Sequence, residues 1–208
     1  MEYWKEINNK LKPWIDTDLN KTVVDLFAGC GGLSLGFEAN GFKTIGYEMD
    51  ENASNTYNKN LLGECITGKL TPESTYPKAN IVIGGPPCQP FSVGGKQLGL
   101  KDSRDGFPIF LSAVRQLNPE VFMFENVRGM LYKNKWYLKE VVDELERLGY
   151  YIDYALLNAV NFEVFGKIFE LLMKQRKFGC AYEVLFKNQG IVSDLSSWSL
   201  IVQILKLE

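Results

Sequence analysis

Hydrophobic positions along the chain fall into short runs separated by glycine-rich turns and longer amphipathic stripes. Residues 21–27, Lys-Thr-Val-Val-Asp-Leu-Phe, make an apolar run of strand length. Residues 28–32, Ala-Gly-Cys-Gly-Gly, read as a tight turn, and 33–40 as a helix that stops at Gly41. A second strand over 42–47 ends at Glu48, and a helix over 50–60 follows. Residues 61–79 are loop-rich, with one short strand around 65–67. The run Asn80-Ile-Val-Ile-Gly84 reads as a buried strand. Further on come a helix over 108–117 with Pro108 in its first turn, a strand over 120–124, an amphipathic helix over 136–148 ending at Gly149, and a strand over 150–157. A strand, glycine turn, helix and strand in succession open a doubly wound sheet, so the pattern predicts an α/β fold with a mostly parallel sheet. Residues 1–20 form a leader whose apolar patch (Trp4, Ile7, Leu11, Trp14) packs either on the domain or on a partner. The main domain is expected over 21–162, and 163–208 form a separate tail.

Composition narrows the function classes. The chain has 208 residues with 46% hydrophobic content and a net charge of −2. That is ordinary for one globular domain. The near-neutral charge excludes a general polyanion binder, so any nucleic-acid contact must come from local basic patches or a second protein. No apolar run approaches the roughly 18 residues that suit a membrane span, and the charged start carries no signal-peptide pattern. Four cysteines (Cys30, Cys65, Cys88 and Cys180) lie without ligand spacing, and histidine is absent. No metal site is expected, and a reducing, cytoplasmic setting fits.

Three stretches carry candidate chemistry. The first is Gly84-Gly-Pro-Pro-Cys-Gln-Pro-Phe-Ser92. Its prolines stiffen the backbone where a strand ends and aim the thiol of Cys88 outward, where a lone cysteine would ordinarily sit in a core. The second joins the turn glycines Gly29, Gly31 and Gly32 to Glu48. Ser34 stands where a nicotinamide-type fingerprint would put a third glycine, so the turn is not that motif. A glycine turn, an acid able to take ribose hydroxyls and a helix N-terminus suited to a carboxylate describe an adenosine ligand with an amino-acid tail, which S-adenosylmethionine fits. A purely structural turn beside a surface glutamate fits the same residues. The third is Glu125-Asn-Val127, at the end of the strand over 120–124. Partial desolvation there favours a protonated Glu125 that donates to a ring nitrogen, and pairing with a nearby base is the alternative. Between the first and third lies residues 93–107, glycine-rich with Lys96, Lys101 and Arg104, which reads as an active-site loop or as a solvated connection.

Taken together, these stretches resemble the cytosine-C5 DNA methyltransferase family, from about Thr22 to Phe162. Asp25-Leu-Phe-Ala-Gly-Cys-Gly-Gly-Leu33 resembles its cofactor motif, Gly85 to Ser92 its nucleophile motif, Gly99-Leu-Lys-Asp-Ser-Arg104 the loop that closes over DNA, and Glu125-Asn-Val127 its base-recognition motif. The resemblance implies a Rossmann-like, S-adenosylmethionine-dependent methyltransferase fold that is incomplete at the C-terminus. It implies cofactor contacts from Asp25, Phe27 (against the adenine), Ala28, Gly29, Gly31, Gly32, Leu33, Glu48, Met49 and Pro86. Substrate contacts would come from Gln89, Ser92, Lys96, Arg104, Asn126 and Val127. Cys88 would attack C6 of a cytosine flipped out of double-stranded DNA, while Glu125 holds N3. The implied setting is restriction–modification.

Two departures from the family pattern stand out. The family carries an acidic residue against the adenine amino group, and the counterpart here is Gly68-Lys-Leu-Thr71, with Lys69 in the acidic place. After Asn158-Ala-Val-Asn-Phe162 the expected Gly-Val-Pro-Gln is replaced by Glu163-Val-Phe-Gly166, and no arginine follows at the expected spacing. The tail 163–208 shows no target-recognition region. It is apolar enough to pack, as a helix over 164–177 and two later strands or helices. Three readings of the whole remain open: one subunit of a split methyltransferase needing a second polypeptide, a truncated and inactive remnant, or a diverged variant. Methylation of a cytosine in tRNA is the alternative substrate reading.

Overall fold

The computed structural model describes residues 9, 11–87, 105–132, 134–158 and 198–206, with side chains left aside for 128, 156–158 and 198–206. Cys88, Gln89, Ser92, Lys96, Lys101 and Arg104 lie outside the described residues, as do Trp4, Ile7 and the expected helix over 164–177.

Among the described residues, seven strands form one sheet in the order β3-β2-β1-β4-β5-β7-β6. They are β1 (Thr22–Leu26), β2 (Lys43–Glu48), β3 (Glu64–Thr67), β4 (Ile81–Gly84), β5 (Val121–Val127), β6 (Tyr150–Asn158) and β7 (Trp198–Lys206). The four pairings from β3 to β5 are parallel, and β7 runs antiparallel between β5 and β6. Helices α1 (Gly32–Glu38), α2 (Glu51–Asn60), α3 (Phe107–Leu117) and α4 (Lys135–Arg147) make the connections.

Both faces of the central strands are covered, which explains their nearly unbroken apolar sequences. Side chains alternate between faces. Val24, Leu26, Val82, Phe122 and Phe124 pack in one core with Phe107, Phe110, Tyr137 and Val141 of α3 and α4. Val23, Ile83 and Met123 point the other way, into a smaller core with Phe37 of α1 and Phe42. The larger core is seamed by edge-on aromatic pairs, including Phe107–Phe124 and Phe122–Tyr150, each with ring centroids 5.0 Å apart. Each such buried side chain contributes about 1.5–3 kcal/mol.

Local signals place the helix ends. Asp50 accepts the Ala53 N–H at 2.8 Å and caps α2, an interaction of about 1 kcal/mol. Pro108 sits in the first turn of α3 as expected. The described part of the leader packs on the domain. Trp14 donates its backbone N–H to Glu38 O and its indole N–H to Ala39 O, both at 3.1 Å, and so satisfies carbonyls at the end of α1.

Strand β5 runs three residues beyond the expected end at residue 124, because β7 supplies a partner there, pairing Glu125 with Ile201, Asn126 with Leu200 and Val127 with Ser199. Most of the expected tail lies outside the described residues, and its described part is β7.

One buried acid joins α1 to the entry of β3. Glu38 is fully buried, and its carboxylate accepts the N–H groups of Leu62 and Gly63, each at 2.8 Å, and the Thr44 hydroxyl at 2.6 Å. Thr44 in turn lies 2.7 Å from the Tyr57 hydroxyl. Glu38→Gln turns an acceptor into a donor facing donors, and it is expected to lower stability by about 2 kcal/mol in urea unfolding.

Candidate active site

Strands β1 and β4 are hydrogen-bonded neighbours, but the chain after β1 winds through β2 to β3, while the chain after β4 winds through β5 the opposite way. This reversal opens a crevice beyond the strand ends, where open α/β sheets take ligands. A cleft of about 420 Å³ lies there. Phe27, Tyr47, Glu48, Met49 and Gly68–Leu70 line one side, and Gly85, Pro87, Asp105, Gly106 and Ile109 the other.

The turn after β1 shapes the first side. Phe27 adopts a positive φ of 60°, an unusual backbone state for an aromatic residue, and its ring lines the cleft. Gly31 has φ 88°, and a Cβ there would lie 2.6 Å from the Tyr57 ring, so the turn presses onto α2 in a way only glycine permits. Glu48 ties this turn to β2. Its Oε2 accepts the Gly29 N–H at 2.9 Å and its Oε1 accepts the Asp50 N–H at 2.8 Å. Each oxygen keeps a further lone pair for a hydroxyl in the cleft. The Gly68 N–H donates to Glu48 O at 2.8 Å, which brings Lys69 and Leu70 to the cleft wall.

Asp25 lies beneath this turn, fully buried and outside the cleft lining. Its Oδ2 accepts the Ser34 hydroxyl at 2.7 Å, and its Oδ1 is buried with no hydrogen-bond partner. Burial pushes its carboxyl up from 3.8 to about 7; the bonds from Ser34 oppose the rise, and the charge of Glu48 adds to it. Leu33 packs into the smaller core with Val23 and Phe37. Ala28 packs against the cluster of Tyr57, Leu61 and Cys65, and Gly32 begins α1.

The other side is built on the start of the Cys88 stretch. A Cβ on Gly85 would lie 3.7 Å from Glu125 Oε2, so the two chemical motifs meet at adjacent strand ends. Asn126 is buried and donates its amide to Pro86 O at 2.8 Å, anchoring the segment that leads to Cys88. Pro86 therefore serves through its carbonyl, while Gly85 and Pro87 face the cleft. Val127 is exposed.

Of the residues expected at the site, Phe27, Glu48 and Met49 line the cleft, and Gly29, Gly31 and Asn126 hold its walls. Tyr47 and Ile109 line it without having been singled out, and Asp105 and Gly106 line it from the end of the 93–107 stretch that reads as an active-site loop. Tyr47 was within reach of sequence reasoning, as the neighbour of Glu48 at the end of β2. No sequence signal marks Ile109.

The raised Asp25 pKa has a consequence for stability. The folded state holds this proton more tightly than the unfolded state, so the stability Asp25 contributes is greatest below pH 3.8, falls as pH rises, and levels off above about 7. Asp25→Asn keeps an acceptor for Ser34 and does not titrate. The stability of the variant relative to the parent is expected to improve by about 2–3 kcal/mol between pH 5 and pH 8, measured by urea unfolding at each pH. An unchanged difference between the two pH values rules out a buried, proton-holding Asp25.

Comparison with known proteins agrees with this geometry. A family model described as "C-5 cytosine-specific DNA methylase" matches residues 21–165. Type II methyltransferase M.AplI of Arthrospira platensis is 50% identical over 184 residues, covering 88% of this chain and 52% of the relative. M.AquIA of Picosynechococcus sp. is 35% identical over 168 residues, covering 70% of this chain and 68% of that one. The chain thus spans about half the length of relatives such as M.AplI. Among solved structures, the S. pombe Dnmt2 methyltransferase has a similar fold, with a TM-score of 0.62 at 17% identity over 90% of this chain and 51% of that one. The mostly parallel, doubly wound sheet is the Rossmann-like fold of S-adenosylmethionine-dependent methyltransferases. Since the matched residues run from β1 through β6 and include the turn, the proline frame and the Glu125 strand around the cleft, the chain belongs to the C-5 cytosine-specific DNA methylase family.

Proposed function

We propose that this chain carries the cofactor-binding and catalytic part of a DNA (cytosine-5-)-methyltransferase acting in a restriction–modification setting. The observation that carries this reading is the meeting of three features at one sheet edge: the cleft with Glu48, the proline frame ahead of Cys88, and Glu125 beside Gly85.

The cleft fits S-adenosylmethionine in size and in donor set. Its volume falls within the roughly 300–1,000 Å³ range of small-molecule sites. The free lone pairs of Glu48 suit vicinal ribose hydroxyls, and the Phe27 ring suits an adenine face. Lys69, which also lines the cleft, replaces the acid that the family pattern places against the adenine amino group. When bound, the cofactor supplies a methyl group activated by a sulfonium.

The residues of the chain do the rest. Cytosine C5 is a poor nucleophile until C6 is saturated. The Cys88 thiolate adds to C6, Glu125 holds a proton at N3, and negative charge that would build on the ring is thereby stabilised. After C5 is methylated, a water molecule takes the C5 proton, the C5–C6 double bond re-forms as the C6–S bond breaks, and Cys88 departs as thiolate. The base must leave the duplex for this geometry, so the substrate is double-stranded DNA with a flipped cytosine. Gln89, Ser92, Lys96, Arg104 and Val127 are assigned to the DNA side, whereas Asn126, expected there as well, is buried and holds Pro86 instead.

A second reading keeps this chemistry but places sequence recognition on another polypeptide.

The test offers labelled S-adenosylmethionine with DNA, with tRNA, and with a duplex containing 5-fluorocytosine. A denaturation-resistant adduct with the fluorinated duplex is expected and is abolished by Cys88→Ser. Glu125→Gln is expected to slow transfer by about 10²–10³-fold while leaving cofactor binding intact. Label transfer to tRNA alone overturns the DNA assignment. Transfer that appears only with a second polypeptide from a related system selects the split reading, and cofactor binding without any adduct selects an inactive remnant.

A further inference from the structure

Asp105 and Gly106 immediately precede α3, and both line the cleft. Asp105 is nearly fully buried, and both of its carboxylate oxygens are engaged by protein groups. Oδ1 accepts the Phe107 N–H at 3.0 Å, in the first turn of α3. Oδ2 accepts the hydroxyl of Tyr137, a fully buried residue of α4 that does not line the cleft. The Tyr137 ring packs edge-on against Phe107 with centroids 5.6 Å apart, and Phe107 packs on Phe124 of β5. Asp105 is thereby fixed by α3 and α4 together, with β5 behind them.

Gly106 passes this constraint to the opposite chain segment. Its N–H donates to Pro87 O at 2.9 Å. A Cβ on Gly106 would lie 2.4 Å from Pro87 Cδ and 3.0 Å from Pro86 Cα, so the two backbones touch. Pro87 immediately precedes Cys88, and Pro86 is held from its other side by Asn126. The wall segment of Pro87, Asp105 and Gly106 is therefore one backbone-linked unit, and the Phe107 N–H and the Tyr137 hydroxyl tie it to the helical layer.

We propose that Tyr137 is a positioning residue for the cofactor cleft, acting through Asp105 to hold the wall that faces Phe27 and Glu48. The proposal rests on the reading of that cleft as the S-adenosylmethionine site. Tyr137→Phe preserves the ring and its aromatic contacts and deletes only the hydroxyl. A buried carboxylate that loses a donor shifts toward another donor or toward water, and the wall moves with it. A site held about 1 Å too loosely loses much of its function, so the effect reaches the cleft although Tyr137 touches no ligand.

The test measures S-adenosylmethionine binding to the full chain by titration calorimetry, beside thermal unfolding, for the parent, Tyr137→Phe, Asp105→Asn, the double variant and Val141→Ala. Val141 is fully buried on the same helix and serves as a control for general destabilisation. Tyr137→Phe is expected to bind the cofactor about tenfold more weakly, and the double variant no more weakly than the poorer single one, because both act through one bond. Val141→Ala is expected to lower Tm by at least as much and to keep the parental affinity. Parental affinity in Tyr137→Phe overturns the proposal, and so does equal weakening in Val141→Ala. Absence of binding by the parent chain instead overturns the cofactor reading, and with it this proposal.

Discussion

Strand β1 hydrogen-bonds to β2 on one side and to β4 on the other, both in parallel register. The rest of the molecule depends on this arrangement. It sends the segment after Leu26 and the segment after Gly84 apart from a shared edge, and the cleft is the space between them. The wall with Glu48 and the wall built on the proline frame are thus two sides of one reversal in the order of a continuous sheet. The sheet also sets their spacing, since Asp25 is opposite Ile83 and Leu26 opposite Gly84.

Turns at both ends of the sheet are held in shape by buried or half-buried polar groups. Glu48 ties the glycine turn to β2, Glu38 ties α1 to the entry of β3, and Asn126 and Gly106 hold the proline frame from two sides. Partnered buried polar groups specify geometry more sharply than apolar packing, because each misplacement leaves a donor or acceptor unsatisfied. Asp25 is the exception among them. One of its oxygens has no partner, and burial gives its carboxyl a preference for the protonated form, a stability cost located directly under the glycine turn.

The order of elements was legible in the chain because each is marked by a local signal. Buried parallel strands need apolar runs such as Val23-Val24 and Val82-Ile83, and a tight turn onto a packed helix needs glycine at position 31. Glu48 could be placed at the cleft because it ends a strand, and strand ends of one edge converge in this type of sheet, while Phe27 and Met49 were placed there by the family resemblance. The extension of β5 through Val127 was not legible, since it depends on a partner more than seventy positions away in the sequence.

What the sequence by itself determined was the succession of elements, the family motifs and the acids and thiol available for chemistry, because backbone conformation and side-chain identity are local properties. Only the tertiary structure decided that β7 enters between β5 and β6, that Asp25 is buried rather than facing a ligand, and that Asp105, Gly106 and Tyr137 brace the wall opposite Glu48. Each of these rests on contacts between residues far apart in the chain. Tyr137 and Asp105 are 32 positions apart, and no propensity, cap or spacing rule links them until α3 and α4 pack on the same face of the sheet.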